Sequence, residues 1–237
     1  MTEILSPFKQ KKTLVQIGLC ALVFIGMAIP FKVMVLVEGF TEVRPVNAIP
    51  VVTGLLFGPA GAWGCAIGNL ISDLFGTFSK ASVLGFVGNF IAAYLPYKLW
   101  HILNSNEAPN AKSYKNIGIY VLISAIASLS TGIFIACGLD VFFGYWSQEL
   151  LTIICLNDFF FPLLLGLPVL IVLTCEDNKI HPIMPQRQTR YTILRSVCLG
   201  LSVILTVTIM VMVYLGFAMS SSLLMLICGV VSQYRVC

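Results

Sequence analysis

Seven polar side chains stand in or beside stretches that are otherwise apolar enough for lipid: Arg44, Asn47, Asn69, Asp73, Asn89, Asn157 and Asp158. Ionisable and amide groups at membrane depth are expensive, and by default they mark a ligand site or a pathway. Asn69 and Asp73 are four residues apart, so a helix carries them one turn apart on a single face. Their chemistry is hydrogen bonding: carboxylates accept, amides donate and accept, and a guanidinium offers a planar fork of donors. Such a set suits a neutral or zwitterionic polar ring with apolar parts. Asp73 and Asp158 could instead share a proton and activate water, as an intramembrane aspartyl enzyme would require. Neither is surrounded by Gly-x-Gly-Asp, and both lie near a membrane boundary where they ionise cheaply, so no catalytic residue and no enzyme is expected. Metal chemistry is not expected either. The eight cysteines form no Cys-x-x-Cys, and His101 and His181 lack neighbouring ligands.

The composition sets these residues in a membrane. Of 237 residues, 58% are hydrophobic and 10% charged, whereas soluble domains carry about 25% charged residues. Apolar runs approach or exceed the roughly 20 residues that cross a bilayer as a helix. The ten-residue alternating segments of a transmembrane barrel are missing. The predicted class is all-α, a polytopic helix bundle. The net charge of +4 does not imply nucleic acid.

Six helices are expected, at residues 13–29, 47–57, 60–75, 81–101, 117–139 and 150–174, the second too short to span alone. Gly58-Pro59-Ala60-Gly61 turns the second helix into the third, while Pro162 and Pro168 predict a kink in the sixth. A mixed segment at 38–45 is too polar for lipid, and loops are expected at 104–116 and 140–149. The chain thus divides into a six-helix membrane core at 1–175, a basic loop at 176–195 and an additional hydrophobic segment at 196–237. Placing the N-terminus inside puts Lys9, Lys11, Lys12, Lys98, Lys112, Lys115, Lys179, Arg187, Arg190 and Arg195 on the cytoplasmic face. Up to residue 195, only Lys32, Arg44 and Lys80 then fall outside, which satisfies the positive-inside rule.

That orientation gives the polar residues a common depth. At 1.5 Å of rise per residue, Asn69 and Asn89 each lie roughly 10–12 Å below the outer boundary. Asn157 and Asp158 fall at a similar depth, with Arg44 and Asn47 above them as a lid. A cavity open to the outside follows, and no such layer is expected in the inner half. Amides that merely glue helices together are the alternative, and for Asp158 a cap on the outer end of helix six. Small residues also recur at every fourth position: Ala60, Gly64, Gly68, Ser72 and Gly76 on helix three, and Ser124, Ser128, Gly132 and Ala136 on helix five. Such ridges serve helix packing or docking of another subunit.

Three stretches carry a resemblance: Arg44-Pro45-Val46-Asn47-Ala48-Ile49-Pro50, Gly54-Leu55-Leu56-Phe57-Gly58-Pro59-Ala60-Gly61-Ala62, and Gly68-Asn69-Leu70-Ile71-Ser72-Asp73-Leu74. They resemble the second and third helices of substrate-binding S components of energy-coupling-factor (ECF-type) vitamin importers. The resemblance reaches from about residue 13 to 174 and implies a subunit that captures a vitamin or similar micronutrient from outside. It would then dock on a coupling transmembrane subunit driven by two cytoplasmic ATPase subunits. ATP would be used by those partners, since the chain has no Gly-x-x-x-x-Gly-Lys-Ser/Thr loop, and no cofactor is expected in the chain itself. Family members often dock through an alanine pair in helix one. Here Ala21 is followed at that spacing by Ile25, and the terminal run exceeds the usual six helices. A membrane sensory domain, which binds a ligand without transporting it, is the competing reading. Against it, no kinase or cyclase domain follows.

Overall fold

The computed structural model describes residues 2–31, 35–37, 41–42, 44–75, 78–145, 148–174 and 182–183. The segment expected at 196–237 and nearly all of the loop at 176–195 lie outside the described residues. The rest is an all-α bundle, as the apolar runs predict.

A short helix α1 (Thr2–Leu5) and a 3-10 turn (Ser6–Lys9) lead into α2 (Lys11–Phe31). Next comes an antiparallel ribbon of β1 (Val35–Val37) and β2 (Thr41–Glu42), in the segment too polar for lipid. A 3-10 turn (Pro45–Asn47) opens α3 (Ala48–Phe57), and α4 (Pro59–Asp73), α5 (Ser82–Leu103) and α6 (Tyr114–Phe143) follow. The last span is α7 (Gln148–Phe161), a π-helical turn (Pro162–Gly166) and α8 (Leu167–Leu173). Among the described residues, three spans are long and apolar enough to cross a membrane: Lys11–Phe31, Tyr114–Phe143 and Gln148–Leu173.

Around the bundle, α2 packs on α4, α4 on α5, α5 on α6, and α6 on α7. The short helix α3 sits inside this ring, against α4, α5 and the π turn. This answers how ten residues, about 15 Å of helix, can serve a membrane protein. Its sequence, AIPVVTGLLF, is apolar on every side, the signature of a helix surrounded by protein. Ala48 and every residue from Pro50 to Leu56 are buried. Gly54 lets α5 approach, because a Cβ there would stand 1.9 Å from the Ala93 carbonyl oxygen.

The turn between α3 and α4 depends on Gly58, whose φ of 55° and ψ of −129° disfavour any residue with a Cβ. Both small-residue ridges face inward. A Cβ on Gly64 would lie 2.4 Å from Cys20 Cβ, and one on Gly68 2.8 Å from Phe24 Cβ, so the α4 ridge carries α2. Ser72, fully buried, returns its hydroxyl to the Gly68 carbonyl at 2.7 Å. On α6, a Cβ on Gly132 would meet Cys155 Sγ at 2.4 Å, and Ser128 donates to the Cys155 carbonyl at 2.6 Å. The described residues of both ridges are thus packed against helices of the same chain.

Two boundaries differ from expectation. The loop expected at 140–149 is shorter, because α6 continues to Phe143 and ends on Gly144, which takes the left-handed conformation (φ 63°) and returns its N–H to the Asp140 carbonyl. The kink expected from Pro162 takes the form of the π turn. Tyr120 donates to the Pro162 carbonyl there at 2.8 Å, alongside the Leu167 N–H that closes the π turn on the same oxygen. The N-terminal segment forms an unexpected strap. Trp63 donates to the Ile4 carbonyl at 2.8 Å and stacks edge-on against Phe8 at 5.2 Å, while Lys98 and Glu3 form an ion pair at 2.5 Å.

Candidate functional site

The polar residues belong to elements that reach one end of the bundle, opposite the Gly58 turn. Chain direction dictates this: α2 and α6 end there, while α3, α5 and α7 begin there. The turn Pro45–Asn47 contributes from outside the helices, and its N-cap, Arg44, follows the ribbon closely.

Arg44 and Asn47 bind in two directions. Arg44 Nη2 donates to Asn69 Oδ1 at 3.0 Å, and Asn69 Nδ2 faces Asp73 Oδ2 at 3.4 Å. Asn47 Nδ2 donates to Asp158 Oδ1 on α7. The guanidinium of Arg44 also lies within electrostatic reach of Asp158. One turn of backbone therefore ties α4 to α7 through five of the seven residues read from the sequence. Asn69 is 1% exposed and Asp73 8%, while Arg44, Asn47 and Asp158 are half-buried.

Asn89 lies one turn along α5 from Gly85, the residue that faces Asn69. Its amide donates to the Gly85 carbonyl at 2.9 Å, and Gly85 lacks a Cβ where one would stand 2.9 Å from Asn69 Nδ2. Asn157 is buried on α7 beside Asp158. Asp158 lies well inside α7 rather than at its end, so it does not cap that helix. Asn47 likewise makes no side-chain cap for α3 and spends its amide on Asp158.

Sequence reasoning missed two contributors. Gly85 is one, and its signal was available as a small residue one turn before Asn89. Thr131 is the other: it is 2% exposed, its hydroxyl has no hydrogen-bond partner among the described residues, and its methyl would lie 3.5 Å from a Cβ on Gly88, the neighbour of Asn89. A buried orphaned hydroxyl is a donor and acceptor held ready.

The opposite end carries the polar loop expected at 104–116. Asn104 and Asn116 are buried there, and Asn116 gathers Asn104 at 3.0 Å, Glu107 at 2.9 Å and Asn110 at 2.7 Å. This second amide layer folds the loop between α5 and α6 onto itself and crosses no other helix. Hydrogen bonds from Asn116 and Asn110 hold Glu107 below the ordinary carboxylate range. Trp100 belongs to the core at this end, fully buried and bonded to the Glu107 carbonyl at 3.0 Å. Among the described residues, no three His, Cys, Asp or Glu side chains could share a metal ion.

The chain is thus a bundle of apolar helices that concentrates charge and amides between α4, α7 and a turn. Its class is that of the ECF-type S components. The chain belongs to the QueT transporter family, whose model matches residues 14–175, all six helices of the core. No curated protein and no solved structure matches the chain.

Proposed function

We propose that this chain captures a queuosine precursor, a 7-deazaguanine base, from outside the cell and delivers it through an ATP-driven partner module. The family match carries the reading, since QueT proteins are S components for queuosine precursors. The polar cluster supports it: two carboxylates, four asparagines and an arginine can meet the donors and acceptors on the rim of a guanine-like ring, while apolar helices take its faces. Asn69, Asp73, Asn89, Asn157 and Asp158 are the proposed contacts, with Arg44 and Asn47 as the lid of the site. The module would hold a coupling transmembrane subunit and two cytoplasmic ATPases, which use the ATP. The N-terminus would face the cytoplasm, setting the cluster toward the outer side.

Mass spectrometry of the detergent-solubilised protein is expected to find a 7-deazaguanine base bound. Calorimetry with 7-cyano-7-deazaguanine then gives its affinity. Vesicles holding the chain alone are expected to bind the base without ATP-driven uptake. Full ATP-dependent uptake by the isolated chain would overturn the importer-subunit reading.

A further inference from the structure

We infer that Arg44 is an internal stand-in for the substrate, and that the base enters by displacing its guanidinium from Asn69 and the neighbouring carboxylates. The inference rests on the function proposed above and deepens it.

Three observations lead there. First, key polar atoms of the cluster are already engaged: Asn69 Oδ1 by Arg44, Asn69 Nδ2 by Asp73, and Asp158 Oδ1 by Asn47. A ligand that bonds to Asn69 Oδ1 must therefore replace Arg44, and one that bonds to Asp158 Oδ1 must replace Asn47. Second, the partners differ in freedom. Asn69 and Asp73 sit on α4 and Asp158 on α7, inside packed helices, whereas Arg44 lies in a non-helical stretch between the ribbon and the 3-10 turn. Arg44 is the member that can leave while its acceptors stay. Third, the chemistry matches. A guanidinium is a flat array of N–H donors, and the 2-amino-pyrimidin-4-one edge of a deazaguanine is a guanidine built into a ring. Its ring N–H and exocyclic amino group present the same donors in the same plane. Acceptors set to hold one will hold the other.

Displacement also explains why the arginine stands on the ribbon side. When the base takes its acceptors, the Arg44 side chain is freed toward the ribbon while buried Pro45 and Val46 hold the turn behind it, so entry of the ligand and withdrawal of the side chain become one event. An arginine that simply held the ligand would do neither.

The two roles predict opposite effects of removing the side chain, and calorimetry on the full chain in detergent separates them. The probe is 7-cyano-7-deazaguanine, which has no cationic arm, so the ring edge alone is tested. Arg44→Met is expected to bind the base about five- to tenfold more tightly than wild type, because no internal competitor remains. Methylguanidinium at tens of millimolar is expected to return the variant toward the wild-type affinity. Its ligand-free thermal stability is expected to fall and its gain on adding ligand to exceed that of wild type. If Arg44→Met does not fold, Arg44→Lys carries the test: a point charge cannot reproduce the planar fork, so binding is expected to tighten severalfold. Unchanged or weaker binding in the folded variant overturns the displacement and makes Arg44 a direct ligand. Failure of the wild-type protein to bind any 7-deazaguanine base strikes instead at the proposed function.

Discussion

Asn69 is the residue on which the cluster turns, since it takes Arg44 on its oxygen and faces Asp73 with its amide nitrogen. A neutral hydrogen bond contributes about 0.5–1.5 kcal/mol, and a buried partner left unpaired costs about 1–3 kcal/mol. Asn69→Ala is therefore expected to weaken binding of a 7-deazaguanine base roughly ten- to a hundredfold. The same calorimetric titration checks this, with circular dichroism confirming that the fold persists. Gly85→Ala probes the same group from the neighbouring helix. Its Cβ would stand 2.9 Å from Asn69 Nδ2, at the far end of a side chain that can swing aside. Binding is expected to weaken while stability changes by less than about 1 kcal/mol, because alanine is the better helix former. Polar residues in apolar runs were legible from the sequence, since no soluble-protein reason accounts for them. What each one bonds to was not. Asn47 reaches Asp158 across 111 positions, and nothing in local spacing selects that partner over a role in capping α3. Thr131 was hidden for a related reason: threonine is ordinary in a membrane helix, and only its orphaned hydroxyl makes it notable.

Helix order and type followed from the apolar runs, and the π turn grew from a proline that the sequence displayed. The strap at residues 2–9 was not legible, because a short mixed segment, TEILSPFK, reads as a tail until its partners are seen. The two ridges were legible as ridges, but spacing is blind to whether the facing surface belongs to the same chain. Their partners, α2 and α7, give a direct test of helix packing. A Cβ on Gly64 would press on Cys20 Cβ at 2.4 Å and on the Ile17 carbonyl at 2.8 Å, where no flexible tip can yield. Gly64→Ala is expected to destabilise the protein by about 1–3 kcal/mol. Gly18, on α2 itself, has open space around its missing Cβ. Gly18→Ala is accordingly expected to leave stability unchanged or raise it by up to about 1 kcal/mol. Thermal unfolding in detergent compares the two, and an equal loss in both would mean that helix propensity rather than the α2–α4 contact governs stability.

At the scale of the whole molecule, the strap closes the end of the bundle opposite the polar cluster, and its hold depends on Glu3. Burial raises the pKa of that carboxyl, but the hydrogen bond and charge of Lys98, together with the Tyr97 hydroxyl at 2.9 Å, outweigh it and leave Glu3 below the ordinary value. A carboxyl whose folded pKa is depressed stabilises the fold above its unfolded pKa and loses that contribution as pH falls through the folded one. The strap is thus expected to be fully seated at neutral pH and to loosen only below about pH 4, beneath the ordinary glutamate range. Glu3 is 42% exposed, so solvent screens the ion pair and the loss is modest. Trp63 reports on it, because its indole donates to the Ile4 carbonyl and stacks on Phe8. The Trp63 emission is expected to shift red as the strap leaves, and Glu3→Gln is expected to flatten that transition. Sidedness completes the argument, since the strap shares its end of the bundle with Lys112 while Lys80 stands at the other. Impermeant thiol reagents are expected to label Lys80→Cys in intact cells, and Lys112→Cys only after the membrane is opened. Cys20, Cys65, Cys137 and Cys155 are buried and compete little, and Cys175, Cys198, Cys228 and Cys237 are replaced by Ser in the background used. The reverse pattern would turn the bundle over, set the polar cluster toward the cytoplasm, and leave the proposed capture from outside without a site.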